Sequence, residues 1–418
     1  MRALAYRFLV MNWGPVPIIE NNLERLFDTT ITRNTIPSVW RYITREMRAA
    51  AEDLPLTPPQ EGRLTRWSAE GMLARFYLTR AGVESQGGVR NQEFLDSAKY
   101  YANRVITMSG KSLLPKYGDL FTYPYDNNNE SLFELQWVFS GPNVWGTSNS
   151  MPEYLAYSPD IAFGGWGGDK GATWWLMSQY EGINQQPDGT MRGRTLDQRL
   201  HATFMLPGFY YPQITKVSDR QKLIFPFTGT DQNFLNVKKY VIGSPLDLAG
   251  IASQQRYPHN TYMLRLAEMF LIYAEATIGN NANTSDATAI EYYNRVRTRA
   301  GLPEYEVGGP NGSGPLTLQK LFSERFKEFA MEGMSWYDLV SLHYWNPDGA
   351  YAILNSQDRG LFFTEPDEMP EPTEWTFTKT SWFNERTITA NSGNFLLPIP
   401  NAELSQAPNL TKPPVDYP

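Results

Sequence analysis

The residues best placed to do chemistry lie in Leu318 to Trp345, LQKLFSERFKEFAMEGMSWYDLVSLHYW. Placed on a helix, Leu318, Phe322, Phe326, Phe329 and Ala330 form one apolar stripe. Arg325 and Glu332 fall inside that stripe, and Glu328 lies between them within side-chain reach of both. Charges at core positions are costly unless paired. They therefore mark either an acid/base site or a buried ionic clamp. Glu268 and Glu275 pose the same question on a face shared with Leu264 and Leu271, and Glu324 joins Glu328 and Glu332 on the later helix. Two carboxylates at a fixed separation in an open cleft are what a glycoside hydrolase needs. Arg265, Arg295, Arg297, Arg299 and Arg325, however, supply cations from the adjacent helical segments. Acids alternating with arginines on packed helices read as an internal ion network, and that reading is adopted.

Other chemistries find little support. The three histidines, His201, His259 and His343, have no metal-ligand spacing. No Gly-x-Ser-x-Gly elbow is present, and no cysteine is available as nucleophile, metal ligand or disulfide partner. GGWGGDKGAT (Gly164 to Thr173) lacks the spacing of a phosphate loop and carries Trp166 at its centre, so it reads as a flexible loop presenting that ring. Asp126 to Glu130 is oxygen-rich but reads as a turn before a strand. No cofactor and no metal are expected.

The aromatic content is the unusual number: 14% of the chain, with 12 Trp and 24 Tyr. Several sit in polar, Gly-rich segments where no helix or strand period would bury them, and flat amphipathic rings there suit sugar faces or peptide side chains. The candidates are Trp145, Trp166, Trp174, Trp175 and Tyr180, with Asn143, Asn149, Asp169 and Gln179 as hydrogen-bonding company. Trp174 and Trp175, being adjacent, should point to different sides if extended, so one at most is expected to be exposed.

These residues need a frame. At 418 residues, 41% hydrophobic and 19% charged, the chain has the composition of a globular protein with a large core. A net charge of -7 argues against nucleic acid as the main partner, and no apolar run reaches membrane-spanning length. Residues 1–10 read as an amphipathic helix under way and not as a signal peptide. Helices are predicted over Pro37 to Asp53, Thr65 to Ala81, Glu93 to Met108, Tyr262 to Ile278 and Ala287 to Ala300, the last two joined by the short link GNNANTSD. Helix, short turn and helix at these lengths predict tetratricopeptide-like pairs, although the repeats are irregular. The fold class expected is mainly α, helical pairs forming a scaffold, with a long irregular loop-rich region containing short strands. One domain is predicted, divided into a helical part at 1–112, a loop-rich ligand-binding region at 113–259, helical pairs at 260–345 and an irregular region at 346–418.

Several segments taken together resemble the SusD/RagB family: RALAYRFLVMNWGPVPII near the start, ESLFELQW at Glu130 to Trp137, Met263 to Gly279, Tyr292 to Pro303, Glu324 to Leu339, and FLLPIPNAE at Phe395 to Glu403. The resemblance spans almost the whole chain and is specific in its conjunction of motifs. It implies a non-catalytic, starch-utilisation-type glycan-binding lipoprotein of the Bacteroidota outer membrane, exposed on the outer leaflet. It also implies a role as substrate-capturing lid of a SusC-like TonB-dependent transporter in polysaccharide uptake. A RagB-like peptide-binding component is the alternative within the family, and a helical glycoside hydrolase the alternative outside it. Ligand residues in such proteins sit in variable loops, so none is carried over by motif. The family's signal peptide, lipidated cysteine and preceding segment have no counterpart before Arg2. The expectation is therefore a truncated, late-starting or mature fragment whose lipid anchor, and with it one wall of the ligand site, is absent.

Overall fold

The computed structural model describes residues 1–139, 147–228, 234–309, 314–380 and 387–418. The helical frame opens with α1 (Arg2–Trp13), α2 (Ile36–Asp53), α3 (Arg66–Val83) and α4 (Gln92–Met108), packed in sequence. Each boundary has a local cause. Thr35 caps α2 at the Ser38 N–H with Pro37 in the first turn, and Leu54 before Pro55 ends it. Asn91 caps α4 at the Phe94 N–H.

Next come β1 (Ser131–Leu135) and the short elements of the loop-rich region: α5 (Met151–Leu155), α6 (Trp174–Met177), β2 (Ile183–Gln185), β3 (Met191–Gly193), α7 (Arg199–Thr203), β4 (Tyr210–Thr215) and β5 (Lys222–Ile224). The chain returns to the frame through β6 (Thr261–Arg265), α8 (Leu266–Ile278), β7 (Asn283–Thr284), α9 (Ala287–Arg299), β8 (Leu316–Thr317), α10 (Leu318–Glu328), α11 (Ser335–His343) and α12 (Pro347–Ser356). It ends with β9 (Phe362–Pro366), β10 (Trp375–Lys379) and α13 (Asn401–Gln406). Helices α1 with α2, α3 with α4, α8 with α9 and α11 with α12 form neighbouring pairs, and α4 packs on α8, which brings the two helical blocks together. The protein is mainly α, with tetratricopeptide-like pairs as its frame.

Two expectations fail in detail. Tyr262 to Ile278 is not one helix: Thr261–Arg265 is a strand, antiparallel to β1 with Leu135 opposite Thr261 and Ser131 opposite Arg265. A run that is apolar all round carries no period to separate strand from helix, and the partner strand lies far away in sequence. The opening stripe also breaks. Helix α10 stops at Glu328, Met331 (φ 65°) and Gly333 (φ 71°) turn the chain, and α11 starts at Ser335. Glu332 is thus not on the helix with Arg325.

The apolar core has two parts. One is held by the frame helices, with Trp40, Phe76, Leu73, Leu271, Phe270 and Val296 at its centre. The second lies within the loop-rich region, around Phe121, Tyr257, Phe204, Val237, Ile214 and Trp375. The strands of residues 183–193 and 362–379 belong to this second part, in a four-stranded antiparallel sheet of order β2-β3-β10-β9.

Candidate functional site

The charged residues flagged by their spacing were the first candidates. Arg325 donates from Nε and Nη2 to the two carboxylate oxygens of Asp338 on α11 at 2.9 and 2.6 Å, and lies 3.5 Å from Glu268. It does not pair with Glu328 or Glu332. Glu268 is held instead by Arg75 of α3, whose Nε donates at 2.8 Å, and Glu275 by Arg90 at 2.9 Å. Glu328 is fully buried among Arg265, Arg299 and Arg199, with Arg265 Nη1 at 2.9 Å and Arg199 Nη1 at 3.2 Å. Arg265 also reaches Glu130 at 2.8 Å and Glu332 at 2.8 Å, and Arg299 reaches Glu130 at 2.7 Å. Lys239 donates to Glu332, Tyr117 and the Ala330 carbonyl, each at 2.7 Å, and Arg199 pairs with Asp197 and Glu324 at 2.6 Å.

Burial alone would push the Glu328 and Glu324 carboxyls up. The surrounding arginines more than cancel this and hold both below the usual carboxylate range. Both groups are buried and ionised, Glu328 hydrogen-bonded by guanidinium groups and Glu324 lying among Arg199, Arg297 and Lys327, so neither offers a free proton or access to substrate. Of the five arginines named from sequence, only Arg295 stays on the surface, paired with Glu291. The network joins β1, β6, α7, α9 and α10 and so fastens the loop-rich region to the frame. Among the described residues no cluster of three His, Asp or Glu could hold a metal ion.

The aromatic candidates divide. Trp166 is exposed to 46%, and its ring meets Tyr154, exposed to 41%, edge to face at 5.3 Å. The glycines around it are not there for flexibility, contrary to expectation. Gly164 (φ 76°) packs on the Glu153 side chain, and a Cβ on Gly165 (φ 59°) would sit 2.0 Å from the Ser158 backbone. A Cβ on Gly167 would sit 2.3 Å from the Leu155 carbonyl. The Trp166 N–H donates to the Glu153 carbonyl at 3.2 Å and the Gly167 N–H to Ala156. The loop is thus clamped flat against α5, and the only large side chain left, Trp166, has to stand outward.

Burial corrects the predictions at Tyr180, Trp174 and Asn149. Tyr180 is 1% exposed, Trp174 packs on Phe362 in the second core, and Trp175 meets Phe326 of the frame at 5.1 Å. The rings join elements; Tyr180 and Trp174 are buried away from a ligand, while Trp175 is half-buried. The pair does diverge, but within a helical turn and with neither ring as a platform. Asn149 is also buried; its side chain donates to the His259 carbonyl at 2.8 Å and accepts from the Met151 N–H at 2.9 Å, starting α5. Asp169 is exposed beside Trp166 and paired with Lys170 at 2.9 Å, and Gln179 lies just past the end of α6, donating to Ser178. Trp145 and Asn143 lie outside the described residues.

What the spacing missed is the company Trp166 keeps. The Val138 N–H donates to Thr147 at 2.8 Å, Asn149 and Tyr257 exchange backbone hydrogen bonds, and Trp137 Nε1 donates to Thr261 at 3.0 Å. Residues 137–139, 147–149 and 255–257 therefore run side by side next to α5. On this edge Phe139 is exposed, with the Arg256 guanidinium 5.6 Å from its ring centre. The Trp166–Tyr154 pair at α5, and Trp137 and Phe139 with Arg256 on the segments leading into α5, are the two parts of the aromatic strip of this region. The adjacency of Gly-flanked Trp166 to the MPEYL segment was the one signal that could have pointed to Tyr154.

The helical-pair frame carries outward aromatic rings, and the carboxylates singled out on its helices are held in ion pairs. The chain matches the model of the SusD family over residues 129–415, and over residues 1–78 a model described as starch-binding and associating with the outer membrane. It is 34% identical, over its whole length and 73% of the relative's, to a SusD-like protein of Bacteroides ovatus. Among solved structures it is similar to one determined with a xylogluco-oligosaccharide, at 32% identity and TM-score 0.82, covering all of this chain and 80% of that one. It also superposes on a SusD-like protein from Bacteroides fragilis, at 20% identity and TM-score 0.70, covering 98% of this chain and 77% of that one. The chain belongs to the SusD family, and with it to carbohydrate-binding proteins associated with the outer membrane, not to enzymes.

Proposed function

We propose that the protein captures a glycan at the cell surface and delivers it to a SusC-like TonB-dependent transporter, as the lid or capture subunit of that complex. The observation that carries the reading is the Trp166–Tyr154 pair, two half-exposed rings, Tyr154 on α5 and Trp166 on a loop too tightly packed to fold it in. Rings so placed lie against sugar C–H faces, while Asp169 and Arg256 are of the type that hydrogen-bonds hydroxyls. The related structure with a xylogluco-oligosaccharide supports a polysaccharide-derived ligand of neutral type.

Native affinity electrophoresis against a panel of xyloglucan, mixed-linkage β-glucan, starch and galactomannan tests the reading. Retarded migration in at least one gel without release of reducing ends is expected, and loss of that retardation in Trp166→Ala. Accumulating reducing ends, or unchanged retardation in the variant, would overturn it. Co-purification with a SusC-like transporter tests the partnership.

A further inference from the structure

A cavity of about 260 Å³ lies between the α2–α3 connection and β1, apart from the aromatic strip. Gln136 lines it and Trp137 does not; consecutive side chains of an extended segment point to opposite sides, so the two residues serve different surfaces. The volume is below the ~300–1,000 Å³ of drug-sized ligand sites and matches one or two sugar rings.

Its polar wall is built, not incidental. Asn127 and Gln136 form a reciprocal amide pair, Asn127 Nδ2 donating to Gln136 Oε1 at 3.0 Å and Gln136 Nε2 to Asn127 Oδ1 at 2.9 Å. One donor and one acceptor of each amide are used in the pair; Gln136 Oε1 also accepts from Asn260 and its Nε2 also faces the Glu134 carbonyl at 3.5 Å, so the free donor and acceptor are those of Asn127, which Gln136 holds in place for a sugar hydroxyl. Both amides are held from behind. Glu134, 4% exposed, accepts from the Asn127 N–H with both oxygens at 3.1 and 3.0 Å, pinning Asn127 at φ 55°. Asn260 donates to Glu134 at 2.8 Å and to Gln136 at 3.1 Å. Gly62 (φ 80°) approaches Gln136 so closely that a Cβ would lie 2.4 Å from Oε1, so a side chain there would push the amide away. Trp67 supplies an aromatic wall, and Arg63 and Lys111 are balanced by Glu61 and Glu134, which favours an uncharged ligand.

We infer that this cavity is a second carbohydrate site, taking one or two rings of a neutral sugar. It rests on the glycan-binding reading above, and a polysaccharide held at both places gains avidity without any new contact at the strip.

The test is saturation-transfer NMR of glucose, xylose and cellobiose with the full chain and three variants, with thermal midpoints measured alongside. Signal from at least one of the three sugars is expected in wild type and in Trp166→Ala. It should fall roughly fivefold in Gln136→Ala and in Asn127→Gly, the loss that one neutral hydrogen bond dictates. Asn127→Gly removes the amide while accepting the positive φ, so loss of fold does not stand in for loss of binding. Signal that disappears in Trp166→Ala and survives in Gln136→Ala overturns the second site, as does absence of signal from all three sugars. Polysaccharide retention that depends on Trp166, with no cavity signal, sinks the cavity and leaves the strip. The reverse result sinks the strip.

Discussion

The helical frame and the loop-rich region use the same residue types in opposite ways. In the frame, charged side chains turn inward and are paired: Glu268 with Arg75, Asp338 with Arg325, Glu275 with Arg90. In the loop-rich region, large aromatics such as Trp166 and Tyr154 turn outward, although a second core nearby could have taken them. Misplaced charge in the frame is therefore structural, whereas the outward aromatic surface in the loops is what the proposed glycan-binding reading uses. The difference arises from what each environment enforces. A packed helix leaves a buried charge no option but a partner, while a glycine-clamped loop leaves an indole no interior to enter.

The comparison breaks most visibly at the seam. Glu328→Ala leaves Arg265, Arg299 and Arg199 buried without their common carboxylate and should lower stability by about 3–5 kcal/mol. Arg325→Ala should cost a similar amount by stranding Asp338, with glycan affinity of the folded fraction unchanged. Thermal or urea denaturation beside affinity electrophoresis checks both; a normal melting temperature with lost binding would return these residues to the functional side.

Lys238 sharpens the contrast because it is a buried cation whose ammonium donates to the Val241 carbonyl at 2.9 Å, and burial pushes its pKa down to about 8. Between about pH 8 and its unfolded value of about 10.4 the unfolded chain holds the proton and the folded one does not, so this group's contribution to stability rises with pH. Lys238→Met should be more stable than wild type by about 2 kcal/mol at pH 7, and the gap should close toward pH 10. A gap independent of pH would show that the lysine is not the titrating group.

Gly165→Ala tests the clamp. Its Cβ would meet the Ser158 backbone at 2.0 Å, and the forced shift should cost about 1–3 kcal/mol and weaken glycan retention together. Retention that survives a fall in melting temperature would separate the loop from the ligand. The smallest effect on stability, and the most selective one, is expected at Trp166→Ala: affinity at least roughly tenfold lower, about 1.4 kcal/mol, with stability changed by no more than about 0.5 kcal/mol. Isothermal titration calorimetry with a xylogluco-oligosaccharide and a melting curve measure the two sides.

Much of the frame was legible beforehand because its signals are local. The ranges predicted over Pro37 to Asp53, Thr65 to Ala81, Glu93 to Met108 and Ala287 to Ala300 return as α2, α3, α4 and α9, because apolar period and stop act within a few residues, as do the caps the structure shows at Thr35, Asn91 and Asp286. Ring exposure was not, because nothing in WW at Trp174–Trp175 or in QY at Gln179–Tyr180 says which other segment will cover it. Tyr180 and Trp174 are covered by the second core, and Trp175 by Phe326.

The sequence by itself therefore determined the class of frame, the family resemblance and the need for every inward charge to find a partner. Local periodicity and desolvation cost do not depend on what lies across the fold. Only the tertiary structure decided who those partners are. It split the supposed clamp of Arg325, Glu328 and Glu332 into an Arg325–Asp338 pair and a separate network around Arg265. It also singled out Trp166 among the four described aromatic candidates as an exposed ring and placed Tyr154 against it. Pairing and exposure are properties of segments that meet from distant parts of the chain, and no spacing within one segment contains them.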